Sequence, residues 1–451
     1  MCDDETLPSQ DIWELLTHLV DKSLVNVEKS KEETRYKMLE TVKQYSLAKL
    51  KNVGEMERVQ ERHLDFFLKL AEQAEPELVG PKQKEWLDKL EREHDNLRGA
   101  IEWVLEGEDR DKGLRLTGAL WRFWEVRGHY QEGLQSLEST LAYESMRTLA
   151  RAKALTGAGN LAFNQGDHIR SRSFHEEGLV IRREMEDKRG IAISLNNLGN
   201  VALVQGEYLT ARSLYQESLS IRRELKDKRA IASLFNNLGI VAMVQGDYMV
   251  ALSFHQESLA IKHELGDKLG IANSLNALGE AAHAQKDYER ACSLHQESLA
   301  LGREIGEKGI MASALHGLGN IAYSQEDYAI AHSFYQDSLT IERDLGARRR
   351  IIDCLARLVM LASITGRFYC AARLSGALRC LTDAIGATTI SAAQADYDRH
   401  IASLRASLGD EAFEKYWAEG RAMSMEQAIE YALSTELEEA AENGTPAAPT
   451  Q

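Results

Sequence analysis

The sequence predicts an all-α solenoid, a stack of helix pairs, on three observations. Five segments of 40 residues, beginning at Arg151, Ile191, Ile231, Ile271 and Met311, align without gaps, and such a fixed period marks a repeat architecture. Each segment carries two apolar patterns that follow a 3.6-residue period better than strict alternation. The five prolines are Pro8, Pro76, Pro81, Pro446 and Pro449, so residues 82–445 contain none. Proline inside a helix removes a hydrogen bond and clashes, at about 3 kcal/mol, and so long a proline-free run fits nearly continuous helix.

Within a unit, the first helix is expected over about Ile191–Gln205 and the second over about Tyr208–Leu225. The turn between them reads "QGEY" here and "QGDY" in the next copy, and Gly206 and Gly246 suit the left-handed end of a helix. A second glycine recurs inside the first helix as Gly159, Gly199, Gly239, Gly279 and Gly319. Glycine there costs about 1 kcal/mol against alanine, so its recurrence predicts close packing. The expected small partners on the second helix are Ala211, Ala251, Ala291 and Ala331. A sixth, weaker copy begins at Ile351.

Leu198, Gly199, Gly206, Tyr208, Ala211 and Tyr215 give this pattern its resemblance to the tetratricopeptide repeat. That resemblance implies a right-handed α-solenoid of tetratricopeptide-type helix pairs that binds proteins or peptides in a concave groove. Two features depart from the common form: the period is 40 residues instead of 34, and the proline that closes the second helix is absent. The 40-residue form is similar to kinesin light chains and to scaffolds that orient mitotic spindles.

The flanks differ from the repeats. Residues 111–145 read as a degenerate repeat, with Gly128 and Tyr130 at the turn and Trp121 at the packing-glycine position. Residues 55–107 supply two further helical stretches around the Pro76–Pro81 turn. Residues 9–52 read as helix, short hairpin and helix, the end of a winged-helix module. The segments "LVDKSLV", "RYKMLETVKQYSLAKL", "RHLDFFLKLAEQAEPEL" and "WLDKLEREHDNLRGAIEWVL" resemble part of the bacterial signalling ATPases of the STAND (NB-ARC-like) class. In those an NTPase core is followed by a winged helix, a helical linker and a repeat sensor. No G-x-x-x-x-G-K-[ST] loop occurs in this sequence to cradle nucleotide phosphates, so the resemblance carries no ATPase activity with it. The expected organisation is a winged-helix remnant at 1–53, a helical linker with a degenerate repeat at 54–146, the 40-residue repeats at 147–386, a C-terminal helical cap at 387–434 and a disordered tail at 435–451.

Composition bounds the function. Formal charge is −16, from 54 basic and 70 acidic residues, a poor match to a phosphate backbone or an anionic membrane. No apolar run reaches the ~18–20 residues of a membrane span. The five cysteines show no CxxC spacing and read as reduced thiols of a cytoplasmic protein. His175, His255 and His295 share the second-helix register of Tyr215 and Tyr335, where they are expected to fill space. No metal site, cofactor or catalytic residue is expected, and no nucleophile elbow or HExxH motif is present.

The candidate ligand contacts lie on first helices. Asn196, Asn236 and Asn276 share one register, ended by Thr156 and His316; Asn160, Asn200 and Asn320 share the next, interrupted by Ile240 and Glu280. Met243, His283, Tyr323 and Phe163 follow one turn later. An asparagine amide both donates and accepts, so it can pair with an extended peptide backbone, or alternatively with a neighbouring helix. The expected partner is a protein or peptide, with an upstream NTPase core in the same or another chain; membrane and nucleic acid are not expected. The function expected is the sensor arm of a signalling or transcription-regulating ATPase, with a stand-alone scaffold or a small-molecule sensor as alternatives.

Overall fold

A computed structural model describes residues 9–29, 34–80, 82–107, 109–142, 147–384 and 401–434. The expected tail at 435–451 and the beginning of the expected C-terminal cap lie outside these residues. The described residues form helix after helix, joined by short turns, with one two-stranded sheet. They divide into two compact units, the first ending at Val201 and the second beginning at Ala202.

The first unit opens with a helix, Ser9–Asp21, then antiparallel strands Val25–Lys29 and Thr34–Met38, then a helix, Glu40–Asn52. Val25 pairs with Met38 and Glu28 with Arg35. Arg35 also reaches Glu93 at 2.8 Å, tying the hairpin to the linker. The linker helices Met56–Ala74, Gln83–Arg92, His94–Glu106, Arg110–Arg127 and Tyr130–Leu141 enclose a core around Leu64, Phe67, Leu97, Leu116, Phe123 and Trp124. Fully burying one such side chain contributes about 1.5–3 kcal/mol. Trp121, at the packing-glycine position, has its Cβ side against Gly157 of the next first helix, where an added Cβ would come within 2.6 Å.

In the second unit the first helices Lys228–Val244, Lys268–Ala284, Lys308–Ser324 and Arg348–Ile364 alternate with second helices Tyr208–Glu224, Tyr248–Leu265, Tyr288–Ile305, Tyr328–Leu345 and Phe368–Ala384. The turn inside each pair is left-handed, with φ of +79° at Gly206 and +81° at Gly246, as glycine permits. Between pairs, the helix that lacks its closing proline is instead followed by a capping aspartate. Asp227 Oδ1 accepts from Ala230 N at 3.2 Å and Asp267 Oδ1 from Gly270 N at 2.9 Å. Such a cap contributes roughly 1 kcal/mol. Serines on the second helices donate back to the first helix of their own pair: Ser258 to the Ala232 carbonyl at 2.8 Å, Ser298 to Ala272 at 2.9 Å and Ser338 to Ala312 at 2.9 Å.

The packing glycines have a different partner from the one expected. Alanines 211, 251, 291 and 331 are buried, but the groups lying on the glycines are rings. A Cβ at Gly239 would lie 2.5 Å from the His255 ring, one at Gly279 2.6 Å from His295 and one at Gly319 2.6 Å from Tyr335. In the first unit Gly159 faces His175 in the same way. The histidine register therefore fills space against a bare backbone, as its burial requires. Burial pushes His175 down to about 3 and His255 and His295 down to about 4.

At the C-terminal end, Asp410–Arg421 crosses Phe368–Ala384 at two glycines. A Cβ at Gly420 would overlap the Arg373 carbonyl, and one at Gly376 the Trp417 carbonyl. Arg373 clamps Glu419 at 3.0 and 2.7 Å and donates to the Tyr431 hydroxyl at 2.9 Å.

Candidate binding surface

The first helices bring most of the sequence-predicted contacts to accessible positions. In the second unit Asn236, Met243, His283, His316, Asn320 and Tyr323 are all half-buried, with Ile240 and Glu280 exposed among them. Asn276 differs. It is buried, and its Oδ1 lies 3.1 Å from His295 Nδ1. That amide is committed to the helix pair, and a buried amide left without its partner costs about 1–3 kcal/mol. One repeat earlier, Asn236 Oδ1 and His255 Nδ1 are both shielded without a hydrogen-bond partner.

In the last complete repeat the chain of contacts is longer. The Tyr335 hydroxyl donates to Asn320 Oδ1 at 2.9 Å, and Asn320 Nδ2 lies 3.4 Å from His316 Nδ1. His283 Nε2 meets Ser324 Oγ at 2.8 Å across two repeats. In the first unit Asn197 donates to Asn160 at 3.2 Å and receives from Asn196 at 3.4 Å, while Asn200 is half-buried and hydrogen-bonded. Asn197 thus links the two neighbouring registers.

The electrostatics of the surface centre on Arg357, which the sequence reading passed over. It is half-buried and makes no hydrogen bond or ion pair among the described residues. Its charge is felt by the groups around it. Burial and then Arg357 lower His283, and burial, Arg357 and Arg350 bring His316 down to about 4. Burial raises Asp353 against the opposing pull of Arg349, Arg357 and Arg350. Glu280 is reached by solvent, yet protein crowds it enough to raise its carboxyl pKa, with Arg350 opposing. Arg350 itself is engaged with Ser313 at 2.8 Å and Glu342 at 3.2 Å. The surface carries amides and imidazoles, with one guanidinium left over. Its arrangement can hold backbone amides and an anionic group; it presents no nucleophile with an activating base.

The tetratricopeptide repeat profile matches residues 150–224, 230–301 and 270–344. These residues are tetratricopeptide repeats. Over 156 residues, 34% of this chain, the sequence is 36% identical to HTH-type transcriptional regulators of Mycobacterium tuberculosis and Mycobacterium bovis. The matched segment spans 18% of the length of those relatives. Among solved structures, a STAND protein with a tetratricopeptide repeat sensor from Pyrococcus horikoshii is similar over 95% of this chain and 60% of its own, with a TM-score of 0.54 and 16% identity. The apo quorum sensor NprR from B. thuringiensis is similar over 83% of this chain and 97% of its own, with a TM-score of 0.55 and 15% identity. At such identities the likeness is one of fold. Among the described residues, no helix of the repeat protein is long and apolar enough to cross a membrane.

Proposed function

We propose that the tetratricopeptide repeats bind a protein or peptide along the first-helix surface of the second unit, as the cytoplasmic sensor arm of a bacterial signalling or transcription-regulating ATPase. The observation that carries the binding reading is Arg357. Its guanidinium makes no hydrogen bond or ion pair among the described residues and is open to a ligand carboxylate, which would hold it with a charge-assisted bond. Around it, Asn320, His316 and His283 offer polar contacts, and Tyr323 and Met243 offer apolar area for side chains. Asn276 is left out of the contact set because its amide is spent on His295. Asn160, Asn196 and Asn200 offer amides of the same kind on the first helices of the first unit.

The sensor-arm reading is supported by the 36% identity to the mycobacterial regulators and by the shared fold of the STAND repeat protein. The chain would receive a signal on its repeats and pass it to an NTPase core, with no chemistry of its own. Panning a random peptide library on the chain tests the first part. The expected result is a family of peptides sharing an acidic position, bound at micromolar affinity or better and lost with Arg357→Ala. Selection of no peptide, alongside saturable binding of a metabolite, would replace this reading with that of a small-molecule sensor.

A further inference from the structure

Two histidines and two glutamates meet in the linker of the first unit, N-terminal to the 40-residue repeats. Glu91 lies near the end of Gln83–Arg92, and His94 begins His94–Glu106. His129 follows Gly128, whose φ of +79° turns the chain out of Arg110–Arg127, and Glu132 sits in the first turn of Tyr130–Leu141. The sequence holds a mirrored pair, Glu91-x-x-His94 and His129-x-x-Glu132. Donor atoms of Glu91, His94 and His129 all lie within 4.8 Å of one another.

We propose that Glu91, His94 and His129 bind one divalent transition-metal ion of the zinc class. Three features of the geometry point to it. His129 Nε2 stands 3.3 Å from each oxygen of Glu91. A hydrogen bond would favour one oxygen at about 2.8–2.9 Å, whereas two donors on one tetrahedral zinc-class ion stand about 3.3–3.5 Å apart, given bonds of about 2.0–2.2 Å. His94 Nε2 lies 2.8 Å from Glu132 Oε1, and Arg98 holds both Glu132 oxygens, the Oε1 contact at 2.7 Å and the Oε2 contact at 2.5 Å. Since the carboxylate can only accept, Nε2 carries the proton and Nδ1 keeps its lone pair. A histidine oriented by a carboxylate in this way is the usual outer shell of a metal ligand. Finally, the two imidazole rings are 4.6 Å apart and share an apolar wall, the buried Phe123, whose ring is 5.3 Å from His94 and 5.7 Å from His129.

The neighbouring charges leave room for a cation. Arg127 approaches Glu91 at 3.7 Å but has Asp88 as its nearer partner. Arg98 is occupied by Glu132 and Asp95. Three protein donors leave a fourth position for water. The ion would tie the junction of two linker helices to the turn between two others, and so fix the linker that leads into the repeats.

Titration of the tag-free full chain with Zn2+, and with Co2+ for its visible absorption, tests the site. The expected result is one equivalent bound with the intense spectrum of a tetrahedral cobalt site. His94→Asn and His129→Asn should each abolish that spectrum, and Glu132→Gln should weaken binding about 10–100-fold. His263→Asn, on an exposed helix face of the second unit, should leave both unchanged. Glu91→Gln is nearly isosteric and exposed, so it reports on the site even where a histidine variant loses its fold by circular dichroism. The proposal is overturned by a wild-type chain that binds no stoichiometric equivalent. It is equally overturned by a folded Glu91→Gln chain that binds the ion as wild type does.

Discussion

Replacing Gly239 by alanine separates the two forces acting on that position. On an exposed helix face the change would stabilise by about 1 kcal/mol, because alanine is the better helix former. Here the added Cβ would lie 2.5 Å from Cε1, 2.7 Å from Nε2 and 2.8 Å from Nδ1 of His255. Carbon contacts are comfortable from about 3.5 Å, so the ring must retreat by roughly 1 Å. It has little freedom to do so, since Ser258 of the same helix is bonded to the Ala232 carbonyl at 2.8 Å. Overpacking of this kind costs about 1–3 kcal/mol. The net expectation is a loss of up to about 2 kcal/mol by urea denaturation, with faster hydrogen exchange in that repeat and its neighbours. Gly309 is the matched control, being helical with nothing within 4 Å of its would-be Cβ. Gly309→Ala should stabilise by about 0.5–1 kcal/mol. The double variant Gly239→Ala/His255→Ala should show a coupling of at least 1 kcal/mol, within the range seen for residues in contact. A Gly239→Ala chain as stable as the Gly309→Ala chain would refute the ring-on-glycine account.

Other expectations follow from the same packing. Gly420→Ala should detach the C-terminal helices, because its Cβ would meet a backbone carbonyl that no rotamer change can move; limited proteolysis near residue 409 should accelerate, and unchanged protection would count against the crossing. His255 is held neutral by burial, then by the Lys262 charge, at about 4. Its unfolded form takes up a proton below about 6.5, so its share of stability is intact above that pH and is lost as pH falls from 6.5 towards 4. His255→Phe should therefore reduce the drop in urea midpoint between pH 7 and pH 5, and an identical drop in both chains would contradict its buried neutral state. Asn276→Ala should cost about 1–3 kcal/mol by stranding His295, whereas Asn236→Ala, which breaks no hydrogen bond, should cost less; equal losses in thermal stability would remove the distinction between them.

The repeat period, the helix pairs and their turns were legible because they rest on local rules: apolar spacing, glycine at left-handed positions and the exclusion of proline. The hairpin near the N-terminus was legible for the same reason. What covers the packing glycines was not, because a missing side chain says only that something approaches. The ring sixteen residues later emerges only when Gly239 and His255 are seen face to face. The asparagine registers were visible but not their division of labour, since a half-buried Asn320 and a buried Asn276 look alike in sequence. Arg357 was overlooked because it belongs to the weakest repeat copy, where no periodic signal marks it. Glu91 and His94 lay outside any repeat and His129 and Glu132 in a degenerate one, and their spacing becomes a cluster only through the fold of the linker.

The claim most in need of a direct measurement is that ligands engage the first-helix surface near Arg357. A photo-crosslinking residue placed at Tyr323, and in separate chains at Met243 and at Gln296 on the exposed face of a second helix, can be irradiated with the peptide recovered by display. The account predicts efficient crosslinks from position 323, weaker ones from 243 and none from 296, with the signal at 323 abolished by Arg357→Ala in a chain that melts normally. Crosslinking from position 296, or crosslinking at 323 that survives the loss of Arg357, would contradict it.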